Sequence, residues 1–130
     1  MGFKTYNCPV EAAIDVIGGK WKPLILWWLH QRTCRFGELR RLIPGITEKM
    51  LTQQLRELEA DGIVFRRVYA TVPPKVEYSV TEYGCSLKRS LEAICEWGRS
   101  HMRRIGALEA PTGRMVRAAA RGSKNPKQQA

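Results

Sequence analysis

The chain has 130 residues, a length typical of one domain, and its 22 lysines and arginines against 12 aspartates and glutamates give a net charge of +10 at neutral pH. This excess predicts a polyanionic partner, either a nucleic acid or an anionic membrane surface, although a merely basic soluble protein is the plain alternative. The longest apolar run, residues 24–29, is too short to span a bilayer, and no secretory signal pattern is visible. We therefore expect a cytoplasmic protein without a membrane partner.

The four cysteines show no pattern typical of a metal site. They form no C-x-x-C pair, and no histidine spacing resembles that of a zinc finger. In a reducing cytoplasm they are expected to be free thiols, so the sequence predicts neither a metal nor a cofactor.

Three segments with apolar periodicity predict the first three helices. The first begins near Pro9, which is favoured at the first helical position because it has no N–H to leave unpaired, and it ends at Gly18-Gly19. The second covers about residues 20–31 and is apolar on several faces, as expected of a central buried helix. The third covers about residues 36–43 and is broken by Pro44-Gly45.

A fourth helix is predicted directly after the short turn of residues 44–46. Thr47 is a good N-cap, and Glu48 in the first turn suits the helix dipole. Asp61-Gly62 ends the helix. The stripe expected to face the core is Leu51, Leu55 and Leu58.

The apolar period then changes to two, which predicts a two-stranded hairpin. In the first segment Ile63, Phe65, Tyr69 and Thr71 form one set of alternate residues, and in the second Val76, Tyr78 and Val80 alternate with Lys75, Glu77 and Ser79. Val72-Pro73-Pro74 between the segments cannot continue a strand ladder. Thr81 is predicted to cap one long last helix over about residues 82–107.

This order of elements predicts a mainly α, α+β fold: a winged helix-turn-helix with a two-stranded wing hairpin and a long C-terminal dimerisation helix. We expect this domain to cover residues 1–108 and a flexible basic tail to cover residues 109–130. Residues 110–130 carry five basic residues and no acidic ones. The tail is either an inert extension or an arm that contacts phosphates.

The fourth helix is the candidate recognition helix, which in this motif lies in the major groove of DNA. Lysine and arginine reach guanine or phosphate, and glutamine pairs with adenine. An ordinary solvated helix face is the alternative. The acidic residues of this helix, however, are expected to lie off the basic face. The residues predicted on or beside that face are Thr47, Lys49, Thr52, Gln53, Arg56 and Ala60.

The hairpin is the second candidate contact with DNA. Arg66, Arg67 and Lys75 lie on the hairpin, and Pro73-Pro74 stiffens its tip. Such a wing commonly meets phosphates or the minor groove. Arg40 on the third helix is a further candidate phosphate contact. Solvated surface charge is the alternative for Arg40.

The last helix carries an apolar seam that is typical of a helix pairing with another helix. A homodimer would place two recognition helices about one DNA turn, ~34–36 Å, apart on a near-palindromic site. Packing within one chain is the alternative. The seam residues, spaced by four and three in alternation, are Leu87, Leu91, Ile94, Gly98, His101 and Ile105.

Six motifs spread over about residues 6–105 together resemble the HxlR family of bacterial winged-helix regulators. No one of them would be specific by itself. They are Cys8-Pro9-Val10-Glu11, Ile17-Gly18-Gly19-Lys20-Trp21, Phe36-Gly37-Glu38-Leu39, Ile46-Thr47-Glu48-Lys49-Met50-Leu51, Val72-Pro73-Pro74-Lys75-Val76-Glu77-Tyr78 and Thr81-Glu82-Tyr83-Gly84.

The resemblance implies a dimeric DNA-binding regulator with its recognition helix at residues 47–61 and its wing at residues 72–75. It also implies dimer contacts from the first and last helices. Some members of the family sense oxidants or electrophiles through the cysteine that precedes the first helix, which here is Cys8. A thiolate at a helix N-terminus near Lys4 is electrostatically reasonable, and a simple helix cap is the alternative.

Two other functional classes fit the sequence less well. An enzyme is not expected, because the chain has only two histidines, no nucleophile motif and no Gly-rich phosphate loop. An RNA-binding module would need exposed aromatic rings for base stacking, and most aromatic residues here are predicted to face inward.

Overall fold

The computed structural model describes residues 4–109, and this part of the chain contains six helices and three strands. It divides into two compact units with a boundary between Leu91 and Glu92. The elements are α1 (Pro9–Ile17), α2 (Trp21–Gln31), β1 (Cys34–Arg35), α3 (Phe36–Leu42), α4 (Glu48–Ala60), β2 (Val64–Tyr69), β3 (Lys75–Val80), α5 (Glu82–Cys85) and α6 (Lys88–Ile105).

The core of the first unit forms around α2, as its apolar sequence predicts. The predicted leucine stripe of α4 is buried, and the equally buried Leu39 of α3 completes the packing of the three helices. Helix α4 is long and polar on its other sides, so only burial of this stripe gives it a fixed orientation. The buried apolar residues of α2 and α4 are Ile25, Leu26, Leu29, Leu51, Leu55 and Leu58.

The turn between α3 and α4 is held from both sides. Ile43 and Ile46 are buried, and the Ile46 N–H donates a 3.3 Å hydrogen bond to the Ile43 carbonyl. Gly45 between them has φ of +90°, which a residue with a Cβ rarely adopts. The Thr47 hydroxyl then accepts a hydrogen bond of 3.0 Å from the Met50 N–H, which confirms the predicted N-cap.

The predicted hairpin is present, but it belongs to a three-stranded antiparallel sheet with the order β1-β3-β2. Strands β2 and β3 pair in register from Val64 with Val80 to Tyr69 with Lys75. The two-residue β1 adds a third strand, in which Cys34 pairs with Tyr78. Two residues are too few to show a period in the sequence, so this strand was not predicted.

The predicted long C-terminal helix is present as α6, but it begins at Lys88 and not near residue 82, because the chain breaks after the short helix α5. The Thr81 hydroxyl caps α5 and also donates to the Gly62 carbonyl at 2.6 Å, which ties α5 to the start of the hairpin. The Ser86 hydroxyl donates to the Tyr83 carbonyl, and the Leu87 N–H donates to Gly84 only three residues back. These local bonds replace the i to i−4 bonds that a continuous helix would need.

Helix α6 begins after this break and crosses the boundary between the two units. Its Leu91 is buried in the first unit, and the described residues of the second unit are 92–109. None of the helices in this part of the chain is long and apolar enough to cross a membrane. Apart from Glu109, the predicted tail lies outside the described residues.

Gly84 provides a test of the packing of α5. A Cβ at this position would collide with the Ile63 carbonyl, and the buried Gly84 carbonyl also lies 3.1 Å from His30 Nε2. We expect Gly84→Ala to lower the free energy of unfolding by about 1–3 kcal/mol, measured by urea denaturation.

Gly37→Ala in α3 is the matched control. The nearest atom to a Cβ at position 37 would be Arg41 Nη1, at 3.9 Å. This change should be neutral or stabilising by up to about 1 kcal/mol. Equal loss of stability in both variants would contradict the packing described for α5.

Candidate nucleic-acid interface

Helix α4 presents a polar face on the side opposite to its leucine stripe. Lys49, Gln53 and Arg56 are exposed there, and Thr52 is half-buried beside them. These four residues line one open depression on the surface of the helix. The structure therefore brings together four of the six residues that the sequence predicted for this face, while Thr47 and Ala60 are exposed but do not line the depression.

The two threonines of this region are partly engaged by the helix itself. The Thr47 hydroxyl oxygen accepts the N-cap bond, so its proton remains available to a ligand. The Thr52 hydroxyl donates to the Glu48 carbonyl at 2.8 Å, so only its oxygen lone pairs remain. Thr47 can therefore donate a hydrogen bond to a ligand, whereas Thr52 can only accept one.

The expectation that the acidic residues lie off this face is wrong for two of them. Glu48 and Glu57 line the same depression as Lys49 and Arg56. Helical periodicity predicts only the direction in which each side chain leaves the helix axis. A glutamate side chain is long enough to reach residues on the adjacent face.

Each of these two carboxylates is paired with a cation from another helix. Glu48 lies 3.7 Å from Arg40 Nη1 of α3, and Glu57 lies 2.6 Å from Lys22 Nζ of α2. The hydrogen bond from Lys22, followed by one from Gln53, lowers the pKa of the Glu57 carboxyl below its ordinary value. Within residues 4–109, Lys49 and Arg56 have no ion-pair partner, so their charges remain available to a polyanion.

The outer face of the hairpin carries a compact cluster of charges around one aromatic ring. The Arg67 guanidinium and the Lys75 ammonium lie 4.8 and 4.6 Å from the centre of the Tyr69 ring. Glu77 accepts a 3.0 Å hydrogen bond from the Tyr69 hydroxyl, which raises the pKa of that phenol, and it lies 3.6 Å from Lys75. The cluster holds two cations in defined positions near the tip of the wing.

Arg66 points to the other face of the hairpin, because neighbouring residues on a strand alternate sides. It is exposed and pairs across the strands with Tyr78. Pro73 and Pro74 are exposed at the tip, where the Thr71 hydroxyl donates to the Pro73 carbonyl at 2.7 Å. The predicted wing residues thus present cations on both faces of the hairpin.

Cys8 is exposed at the N-cap position of α1, and its side chain makes no capping hydrogen bond. Lys4 lies 3.0 Å from Asp15. Asp15 also accepts a 2.6 Å bond from the Tyr6 hydroxyl, and these two contacts lower the pKa of its carboxyl. The Lys4 charge is therefore directed to Asp15, and the thiol of Cys8 is open to solvent.

The other cysteines differ in their access to solvent. Cys34 is buried in the core, and this burial raises the pKa of its thiol to about 11, so it is protonated and unreactive at neutral pH. Cys95 is half-buried and accepts from Arg99 Nη2 at 3.7 Å, while Cys85 is exposed. Residues 4–109 hold no group of three or more side chains that could bind a metal ion.

The predicted seam of the last helix is divided by the structure. Leu91 is buried and Leu87 is half-buried in the core of the first unit, so both close the domain of their own chain. In the second unit, Ile94 and Ile105 are about 60% exposed, His101 is exposed and Gly98 is half-buried. No partner chain is described, and a dimer contact through these residues stays a prediction.

Sequence reasoning missed Trp97, which belongs to the same stripe of α6. It is 69% exposed, and its ring stacks on that of His101 with centroids 5.2 Å apart. Its position three residues after Ile94 and four before His101 was the available signal. Helix α1 has no buried residue, and Val10 and Ile14 are exposed on its apolar face.

Comparison with known proteins identifies the kind of molecule to which this geometry belongs. The family model described as HxlR-like helix-turn-helix matches residues 16–105. YtcD of Bacillus subtilis strain 168, an uncharacterised HTH-type transcriptional regulator, is 58% identical over 102 residues, which cover 78% of this chain and 81% of YtcD.

Solved structures agree with this assignment. The redox regulator HypR in its oxidised form is 57% identical and matches 72% of this chain and 96% of its own with a TM-score of 0.70. The crystal structure of YtcD is 56% identical, with a TM-score of 0.71 over 74% of this chain and 98% of its own. The chain therefore belongs to the HxlR-like helix-turn-helix family of transcriptional regulators.

Proposed function

We propose that this protein is a sequence-specific transcription regulator that binds a near-palindromic DNA operator as a homodimer. The observation that carries the proposal is the exposed face of α4, where Lys49 and Arg56 flank Gln53. The carboxylates beside this face are paired with Arg40 and Lys22, so the face offers cations and an amide to the edge of a duplex.

The two contact regions have different roles in this proposal. Arg56 and Lys49 pair with guanine edges or phosphates in the major groove, and Gln53 pairs with adenine. The wing cations Arg67 and Lys75 contact phosphates, which orients the protein on the duplex without reading its sequence.

Exposed apolar side chains support the homodimer. Val10 and Ile14 of α1 and Trp97 and Ile105 of α6 are each at least 60% exposed. Large apolar residues repeated along helices at this exposure are typical of a surface that another chain covers. The proposed interface therefore uses the first helix and the end of the last.

A double-stranded partner fits the aromatic residues better than single-stranded RNA does. Phe65, Tyr83 and Trp97 are exposed, but they lie on three different elements. Recognition of unpaired bases needs rings on a shared platform. Together with the family, this favours a DNA-binding regulator acting in the cytoplasm over an RNA-binding module or an enzyme.

A selection of random double-stranded DNA with the full chain tests the proposal directly. We expect enriched fragments to contain an inverted repeat with half-site centres about one helical turn, ~34–36 Å, apart. Gel shifts at low ionic strength should then show the complex. Failure to bind any duplex, including the protein's own promoter, would refute the proposed function.

Arg56 and Lys75 should differ in their effect on this binding. Arg56→Ala is expected to cost about 1–3 kcal/mol on the enriched operator and to relax its base preference. Lys75→Ala should weaken binding to operator and scrambled DNA alike and flatten the salt dependence of the affinity. Titration by fluorescence anisotropy at several salt concentrations measures both. An equal loss on both DNAs for Arg56→Ala would contradict base reading by that residue.

We further propose that an oxidant or electrophile controls the regulator through Cys8. The Cys8 thiol is exposed and makes no capping bond, and the similar protein HypR is a redox regulator. A quinone is a suitable effector, because the thiolate adds to its ring with a new C–S bond and the quinone oxygen takes up a proton. Modification at the start of α1 would alter the apolar helix proposed for the dimer.

Treatment with a quinone should release wild-type protein from operator DNA and leave the Cys8→Ser variant bound, as measured by gel shift. Cys85→Ser is the matched control, because Cys85 is also exposed. This control should respond like the wild type. Equal release of wild type and Cys8→Ser would show that Cys8 is not the sensor.

A further inference from the structure

Lys22 stands apart from the other charged residues of residues 4–109, because it is the only one that is buried. It lies in the first turn of α2, and the residue is 8% exposed. Its ammonium group lies 2.6 Å from Glu57 Oε1 on α4. A buried ammonium is costly unless it is paired, so this contact holds the Glu57 carboxylate in one place.

The second oxygen of the same carboxylate faces the candidate DNA interface. Gln53 Nε2 donates a 3.2 Å hydrogen bond to Glu57 Oε2. Three side chains thus form a chain of contacts from the core to the exposed face of α4. Its first member is buried, its second is partly exposed, and its third is the amide proposed to read a base.

This contact determines which way the Gln53 amide is turned. A carboxylate only accepts hydrogen bonds, so the NH₂ group of the amide faces Glu57 and the carbonyl oxygen faces away from it. One amide proton binds Glu57, and the other remains beside the carbonyl. This neighbouring donor and acceptor are the pair that adenine N7 and N6 require.

We propose that Lys22 and Glu57 are positioning residues that fix the Gln53 amide and thereby set the base preference of the proposed DNA site. The inference rests on the proposed function, because it assigns specificity to that same face. The Glu57 carboxyl remains ionised at neutral pH because the bonds from Lys22 and Gln53 lower its pKa. Neither residue touches the bases.

The Lys22→Met variant tests this role in the full chain. Methionine fills the buried space without leaving an unpaired charge there, while Glu57, whose side chain is 44% exposed, becomes free to turn to solvent. Selection of random duplex DNA gives the base preference at each operator position. The positions read by Gln53 are those where Gln53→Ala loses its preference.

At these positions the preference of Lys22→Met for the favoured base over the others should fall by about fivefold or more. About fivefold is the lower limit expected when one bidentate base contact is lost. Its preference at other positions should be unchanged, and in the Gln53→Ala background the same substitution should change nothing further. Glu57→Gln is the second variant, since its neutral amide no longer requires the Gln53 NH₂ group to face it. Glu57→Gln should reduce the base preference at the same operator positions.

Lys4→Met is the matched control, because it also removes one lysine charge and one ion pair, here with Asp15 on α1. It should keep the wild-type base preference at every operator position. Thermal unfolding of each variant shows whether it is folded.

The proposal is overturned if Lys22→Met and Glu57→Gln fold and keep the wild-type preference at the positions read by Gln53. It is also overturned if their effect persists in the Gln53→Ala background, or if Gln53→Ala itself changes no preference while the wild type enriches an operator. A wild type that enriches no sequence refutes the proposed function itself, which separates the two failures.

Discussion

The packing of α4 against α2 is the contact on which the candidate site depends. Burial of Leu51, Leu55 and Leu58 fixes the rotation of α4 about its axis. That rotation leaves the opposite face, with Lys49 and Arg56, in solvent. Without these leucines α4 would not be held in one orientation, because most helix stability in proteins comes from packing of the apolar face.

The pattern of ion pairs makes this face selectively cationic. Acidic residues are present beside it, but the Arg40–Glu48 and Lys22–Glu57 pairs engage their charges. The wing differs, because Glu77 accepts from the Tyr69 hydroxyl and pairs with Lys75, one of the cations proposed to contact phosphate. The pairs between exposed side chains add little to stability. The pairs on α4 neutralise the carboxylates beside Lys49 and Arg56, and within residues 4–109 they leave those two cations without an ion-pair partner.

In the proposed function, homodimer formation and DNA binding are connected through α1 and α6. Helix α1 has no fully buried residue, since only Val16 and Ile17 pack partly against the core, and α6 exposes Ile94 and Trp97. Cys8 lies at the first turn of α1, at the edge of one of these surfaces. A change at this thiol would therefore act on the proposed dimer contact, away from α4, and it would alter operator affinity by changing how two α4 helices are spaced.

The sequence by itself determined the four helices of the first unit up to α4, the hairpin and the polar face of α4. These features follow from local periodicity, from the Thr47 cap and from prolines and glycines at the breaks. Only the tertiary structure decided the rest. Strand β1 exists because Cys34 pairs with Tyr78, and Glu57 faces the site because a buried Lys22 holds it. Helix α5 is tied to the hairpin by the Thr81 bond to Gly62 and ends at the local bond of Ser86. Each of these contacts but the local bond of Ser86 joins residues far apart in the chain, where neither period nor composition carries a signal.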